Sequence, residues 1–310
     1  MRIAVTGAGG FVGRALCLRL ARDGHAVRAI TRVPTPFPQD VANIAAGDLT
    51  TADLPALVTE CDVVVNCAAR VHVLRRERPA EARQAFELHN HHLPVRLAEA
   101  ARDAGAARLV QLSSVAAVIS VTPAGLVVDD AVQGLRPNSP YGWAKRRADE
   151  ALDAMNTSPF ATVSLRPPAV YGKGVGAFFA RLMRAAELGL PLPIGRVSNA
   201  RSFIFLDNLV DAVVQAIHQP VTGSFIVTDS APLSTAALYR RLLALHGHGD
   251  RVWRWPALPV RAAARLALRD RAASLLGDAA FSGARFAQQT GWQAPCTLED
   301  GLRRTVGAEP

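Results

Sequence analysis

A short apolar run near the start of the chain ends in Thr6-Gly7-Ala8-Gly9-Gly10-Phe11-Val12-Gly13, and a helical pattern begins inside that run. Arg2–Thr6 reads as a strand. Phe11–Asp23 carries Val12, Ala15, Leu16 and Leu20 at helical spacing, and Gly24 stops it. Few folds accept a strand, a glycine loop and a helix in immediate succession. Gly7 permits a tight turn, Gly10 lets the backbone be approached without a Cβ in the way, and Gly13 allows the helix to pack close to the strand. The helix start then offers unpaired N–H groups and a partial positive charge, which suit a pyrophosphate. In this context the loop points to a dinucleotide site built from Gly7, Gly10, Phe11, Val12 and Gly13.

The next 160 residues alternate short apolar runs with helical patterns, the signature of a parallel sheet covered by helices. Strands are expected at Ala26–Thr31, Asn43–Ala45, Asp62–Asn66, Leu109–Leu112 and Thr162–Leu165. Long helices are expected over Ala85–Ala104 and Tyr141–Met155, with Thr122–Pro140 as a loop between them. Beyond Pro167-Pro168 the pattern is less regular. It suggests a helix at Gly176–Leu188, a strand at Phe203–Leu206, a helix capped by Asp207 and running to His218, a strand at Ser224–Val227, and a helix opened by Ser234. The expected architecture is α/β: a doubly wound parallel sheet of Rossmann type over residues 1–170, with segments around 200–228 returning to it. A smaller, mixed and mainly helical portion over 171–310 would bind the substrate.

Composition narrows the partners. No run of 18 apolar residues occurs, and the N-terminus lacks the apolar core and cleavage site of a signal peptide, so the expected setting is cytoplasmic, without a membrane partner. Cys17, Cys61, Cys67 and Cys296 form no CxxC pair and read as small apolar residues. The net charge of +9 raises the question of nucleic acid. The basic residues are 33 Arg and only two Lys, spread along the chain without a recognition motif, which argues against it and for a phosphorylated small molecule. His89, His91 and His92 flank Asn90. With no carboxylate or fourth ligand evident, they read as a solvated helix face and no metal is expected.

A second constellation supplies chemistry. Tyr141 and Lys145 stand four residues apart at the start of a helix, on one face. An ammonium close to a phenol favours the phenolate, so that the phenol can exchange a proton with a carbonyl or hydroxyl oxygen near neutral pH. Ser114 follows the fifth strand, at the sheet edge where ligands bind, and would orient the reacting oxygen. Near the loop, strand two ends in Thr31-Arg32 with no acid to hold ribose hydroxyls. Arg32 can grip a 2′-phosphate instead, which favours NADP over NAD.

These motifs resemble the NAD-dependent epimerase/dehydratase family, the extended short-chain dehydrogenases that act on nucleotide sugars, over nearly the whole chain. The loop spacing GxxGxxG is similar to theirs. Asn66-Cys67-Ala68-Ala69 resembles the turn that walls the cofactor, and Asn90 matches an asparagine before the fifth strand. Leu165–Gly172 resembles a segment whose prolines, Pro168 among them, border the nicotinamide. Arg201–Asp207 resembles a run whose arginine holds the nucleotide diphosphate. The resemblance implies cofactor contacts at Asp48, Leu49, Ala68, Ala69, Asn90, Ser113, Tyr141, Lys145 and Pro168. It implies substrate contacts at His72, Ser114, Tyr141, Phe178 and Arg201. It also implies a homodimer paired through the two long helices.

Within the family, Ala68–Val73, Leu112–Ser114, Phe178–Gly195 and Arg201–Asp211 are most similar to bacterial reductases of UDP-4-keto-6-deoxy-N-acetylglucosamine, which serve O-antigen lipopolysaccharide synthesis. Val115 and Ala116 stand where sugar dehydratases carry Asp-Glu after the serine, which argues against dehydration. Ala169 replaces an asparagine common in 4-epimerases. The expected reaction is reduction of a UDP-4-keto sugar. The alternatives are 4-epimerisation with NAD retained, and a non-catalytic dinucleotide sensor, a class that commonly loses the Tyr or Lys kept here.

Overall fold

The computed structural model describes residues 1–71, 77–256, 259–260, 262, 266 and 276–307, with the side chains of 177 and 178 excepted. His72 lies outside the described residues, as does the Phe178 side chain.

The strands are β1 (Arg2–Thr6), β2 (Ala26–Thr31), β3 (Val41–Ala45), β4 (Val63–Asn66), β5 (Arg108–Leu112), β6 (Ala161–Arg166), β7 (Ala169–Tyr171), β8 (Phe203–Phe205) and β9 (Gly223–Ile226). Seven of them form one parallel sheet in the order β3-β2-β1-β4-β5-β6-β9. The helices are α1 (Phe11–Arg22), α2 (Leu54–Val58), α3 (Pro79–Glu87), α4 (Leu93–Asp103), α5 (Pro140–Asp153), α6 (Ala177–Glu187), α7 (Leu206–His218) and α8 (Thr235–Leu245). Two short helices, Ala284–Thr290 and Leu298–Val306, follow.

The strands are apolar on both faces because helices cover both. Ile3 and Val5 of β1 pack with Leu16 and Leu20 of α1 and with Leu209 and Val213 of α7. Ala4, between them, faces Leu97 and Ala101 of α4 and Leu152 of α5. The expected α/β Rossmann-type sheet is therefore present, and β9 joins it beside β6. β7 and β8 pair with each other, apart from the main sheet, over a second apolar cluster that includes Tyr171, Phe179, Tyr239 and Leu242.

Several expectations need correction. The helix expected at Ala85–Ala104 is α3 and α4 joined by a π turn, Leu88–His92, in which the Leu93 amide donates to the Leu88 carbonyl. Pro94 sits just beyond. Its ring would press on the Asn90 carbonyl in a regular helix and it has no N–H to give, so the wider turn relieves the clash. Asp207 does not cap α7; it lies in the first turn and faces Arg304 at 3.7 Å. Ser234 does cap α8, accepting from the Ala237 amide at 3.0 Å. The segment expected as a free loop, 122–140, is stitched to 278–282: Thr122 N donates to Asp278 O and Val128 N to Ala280 O.

A polar ladder ties the three central strands together at their C-terminal ends. The Thr6 hydroxyl donates to Asn66 Oδ1, Asn66 Nδ2 donates to Gln111 Oε1 at 2.8 Å, and all three side chains are fully buried. The Ala68 amide also donates to Asn66 Oδ1, at 3.1 Å, so the ladder sets the turn after β4. Truncating Asn66 to alanine strands buried partners at about 1–3 kcal/mol each. Asn66→Ala is expected to lower unfolding free energy by about 2–4 kcal/mol in urea titrations monitored by circular dichroism.

Candidate active site

The order β3-β2-β1-β4 places a topological switch between β1 and β4, where loops leave in opposite directions and a crevice opens at the carboxyl ends. The glycine loop forms one lip. Gly7 has φ +64°, and a Cβ there would lie 2.6 Å from the Ala68 amide nitrogen, so β1 and β4 turns touch backbone to backbone. A Cβ on Gly13 would collide with the Gly7 carbonyl, which fixes how closely α1 approaches β1. Gly10 is the N-cap of α1. No side chain caps the helix and no acid occupies its first turn, so its amides face the crevice uncompensated.

The crevice has a volume of about 700 Å³, and Gly7, Gly10, Arg32, Asp48, Leu49, Ala68 and Ala69 line it. Its size, its Cβ-free lip and its bare helix start fit a dinucleotide. Phe11 and Val12 lie behind the lip, packed against the apolar core. Asn90 stands behind the opposite wall, not on it. It is fully buried and grips Arg70 twice, accepting from its amide at 2.9 Å and donating to its carbonyl at 2.8 Å. Asp48 accepts from the Thr50 amide and hydroxyl, both at 2.9 Å. The amide contact, with help from His89 and Arg32, holds its carboxyl below the usual range. Sequence reasoning missed Thr35, Arg70, Glu77 and His89 on this wall. Arg70 and Glu77 form an ion pair at 2.6 Å that no motif signals.

Beside the crevice, Ser139 caps α5 by accepting from the Gly142 amide at 3.1 Å. A Cβ on Gly142 would drive into the Ala116 carbonyl, so this glycine brings the first turn of α5 against the 3₁₀ turn Val115–Ala117. Ser114 caps that turn, its Oγ accepting from the Ala116 amide at 3.2 Å. Ser114 and Tyr141 thus come close enough for the serine hydroxyl to favour the phenolate. The Phe86 ring meets Tyr141 edge-on, with centroids 5.9 Å apart. Burial pushes the Tyr141 phenol up to about 12, Ser114 pulls it down and Asp149 pushes it further up.

Lys145 is 1% exposed, and its Nζ donates to the Leu112 carbonyl at 2.8 Å. Burial lowers it to about 8, against Asp149 and Cys67. The sequence reading had Lys145 lower the phenol; here the lowering comes from Ser114, and Lys145 is tied to the end of β5. Ser113, expected to face the cofactor, turns its hydroxyl to Asp149 at 2.9 Å. Pro168 is buried after β6. Asp149, a further turn along α5 from Lys145, also receives Arg166 Nε at 2.7 Å. Its signal was available in the i, i+4, i+8 series Tyr141, Lys145, Asp149.

Arg201 lies apart from this group, 8% exposed. Its Nη1 donates to the Gly277 carbonyl at 3.1 Å, while its Nε has no partner among the described residues. Of the histidines, the π turn brings His91 and His92 together with Glu87, ligand atoms within 4.8 Å, so a carboxylate does accompany them. Arg147 already balances that carboxylate at 2.7 Å. Among the described residues no helix is long and apolar enough to cross a membrane.

A parallel sheet with a Cβ-free cradle at its switch point and a Tyr–Ser–Lys group beside it defines a nicotinamide-dependent oxidoreductase of the short-chain type. Residues 3–226 match the NAD dependent epimerase/dehydratase family, and the chain belongs to that family, as an enzyme of the extended short-chain dehydrogenase type. It is 32% identical to a UDP-glucose 4-epimerase of Vibrio cholerae, over 99% of this chain and 94% of that protein. It is 30% identical to a 2-alkyl-3-oxoalkanoate reductase of Stenotrophomonas maltophilia, over 80% and 76%. A solved structure of MoeE5 with UDP-glucuronic acid and NAD superposes with TM-score 0.78 at 25% identity, covering 99% of this chain and 98% of that one. The UDP-glucuronic acid 4-epimerase of Bacillus cereus with NAD shares the fold at TM-score 0.78 and 20% identity, over 99% and 96%.

The depressed Lys145 has a measurable consequence. Below about 8 the ammonium is charged and able to donate to a bound hydroxyl; above it, the group is neutral. Cofactor affinity, followed by NADH fluorescence, is expected to be flat below about 8 and to weaken as pH rises through it. Lys145→Met is expected to bind more weakly throughout and to lose that step.

Proposed function

We propose that this chain transfers hydride between NAD(P) and carbon 4 of a UDP-linked hexose in the reductive direction. The substrate is a UDP-4-keto-6-deoxy-N-acetylhexosamine, in polysaccharide synthesis of the O-antigen kind. The observation that carries the reading is the close packing of the first turn of α5, with Tyr141, against the turn capped by Ser114, next to the glycine cradle. When bound, the reduced nicotinamide supplies the hydride. The chain's own part is the proton. Tyr141, kept protonated by burial, donates from its phenol oxygen to the sugar O4, and Ser114 holds that oxygen in line. Lys145 keeps a positive charge at the foot of the site and can bond ribose hydroxyls.

Arg201 supports a diphosphate. A guanidinium so buried, with one N–H unpartnered, is completed by an anion. His72 and Phe178 belong to the proposed sugar and uracil contacts, and residues 171–310 to the substrate side. Arg32 on the cleft wall, with no acid at the end of β2, supports NADP. Val115 and Ala116 offer no second acid–base pair, which supports chemistry at C4 without loss of water. The setting is cytoplasmic, and the assembly a dimer paired through α3–α4 and α5.

A second reading, 4-epimerisation with NAD retained, is favoured by the UDP-glucose 4-epimerase of Vibrio cholerae, which matches almost end to end. Stoichiometric NADPH consumption with a panel of UDP-4-keto sugars supports the reductase. NAD that copurifies and interconversion of UDP-hexoses without net oxidation support the epimerase. In either case Tyr141→Phe is expected to lower turnover about a thousandfold while cofactor affinity by fluorescence changes little. Unchanged turnover would sink the proton role of Tyr141.

A further inference from the structure

The cap side of the molecule carries an apolar surface that neither the cleft nor the core uses. Trp253 and Trp255 are 52% and 54% exposed, and Leu188 and Leu190 are 52% and 46% exposed. Single exposed apolar residues are ordinary; large ones brought together mark an interaction surface.

Backbone bonds join the two stretches that carry them. Leu192 N donates to Arg251 O, Trp253 N to Leu192 O, and Gly195 N to Trp253 O, so the stretch after α6 runs beside 251–253 in a parallel bridge. Val252 points into the second apolar cluster at 7% exposed, whereas Trp253 and Trp255 just beyond it face solvent. Arg251 Nη1 ties back to the Gly189 carbonyl at 2.9 Å, between Leu188 and Leu190. The two stretches approach closely: a Cβ on Gly195 would lie 2.8 Å from the Trp253 carbonyl oxygen.

Charge identifies the partner. Arg251 and Arg254 are exposed among the tryptophans, and Arg181 and Arg184 lie along the same face of α6 as Leu188, at helical steps. Glu187 is balanced by Arg184 and Asp250 by Arg240, so the excess positive charge of this face is that of Arg181, Arg251 and Arg254. In sequence the chain then continues through Arg261, Arg265, Arg269 and Arg271 against one acid, Asp270. Indole rings favour the headgroup level of a bilayer, and arginines favour its phosphates. Leu188 and Leu190 have neither π-face nor hydrogen-bonding groups, so they suit acyl chains and not bases. We propose that Leu188, Leu190, Trp253 and Trp255, with Arg251 and Arg254, dock the folded enzyme reversibly on an anionic lipid surface. None of these residues lines the cofactor cleft.

The test is flotation of the full chain with vesicles of phosphatidylcholine alone or mixed with phosphatidylglycerol. Binding is expected only to the mixed vesicles and is expected to weaken with added salt. Arg254→Glu, which leaves the apolar face intact, is expected to lower partition about fivefold or more, at about 1 kcal/mol per basic residue. Trp253→Ala/Trp255→Ala is expected to lower it about tenfold or more. Both variants should keep wild-type NADPH fluorescence and thermal melting. No flotation by the wild type, or equal flotation by the double variant, overturns the proposal. So does self-association of the wild type that vanishes in the double variant, because a second copy would then cover this face.

Discussion

The Asp149 carboxylate has no exposed surface, and the arrangement of the site turns on it. It receives Ser113 and Arg166 through one oxygen, and so joins α5 to the ends of β5 and β6. Its charge also opposes the burial that would strip Lys145 of its proton. A buried ion pair is weak evidence for stability, since desolvation costs about as much as attraction returns. Its effect here is on position. With Arg166 and Ser113 fastened to one carboxylate, the Ser113–Ser114 turn cannot shift without exposing a buried charge. Ser114 therefore stays where the Tyr141 hydroxyl meets it.

The two halves of the site depend on each other through close backbone contacts. Gly7 against Ala68 and Gly13 against Gly7 fix the cradle; Gly142 against Ala116 fixes the phenol. None of the three positions tolerates a Cβ without moving a main chain. The Thr6–Asn66–Gln111 ladder lies under both and sets the relative height of β1, β4 and β5. The glycine cradle and the Tyr141 phenol are thus aligned by the sheet, and neither depends on a long loop for its placement.

The parts of this structure that were legible in the sequence are those fixed locally. β1 and β2 fall at the residues expected, because apolar runs bounded by glycine have one reading in an α/β chain. Ser234 reads as a cap because its hydroxyl needs only the next turn. β7 was hidden by the prolines before it, and α2 by having only five residues, too few to show a period. The break between α3 and α4 hinged on Pro94, whose effect falls on Asn90, four residues earlier. At the site, the glycines, Tyr141, Lys145 and Ser114 were readable from spacing. Asn90 was read as a contact because sequence gives an amide no direction; only the fold reveals that Arg70 occupies both its ends. The Arg70–Glu77 pair joins residues seven apart, and no periodicity announces it.

The choice of cation at position 145 follows from burial. The chain has 33 Arg and two Lys, so arginine is its ordinary positive charge. An arginine keeps its proton wherever it is placed and needs a wide, planar set of acceptors. The floor of this site offers one, the Leu112 carbonyl at 2.8 Å, in a space with almost no solvent. A single ammonium fits that geometry, and burial brings it to about 8, close enough to neutrality to respond to its surroundings. Arg201 shows the contrast: a guanidinium in a comparable setting has an Nε without a partner among the described residues. Lysine under the phenol and arginine under the proposed diphosphate are the same problem of a buried cation, solved for one acceptor in the first case and for several in the second.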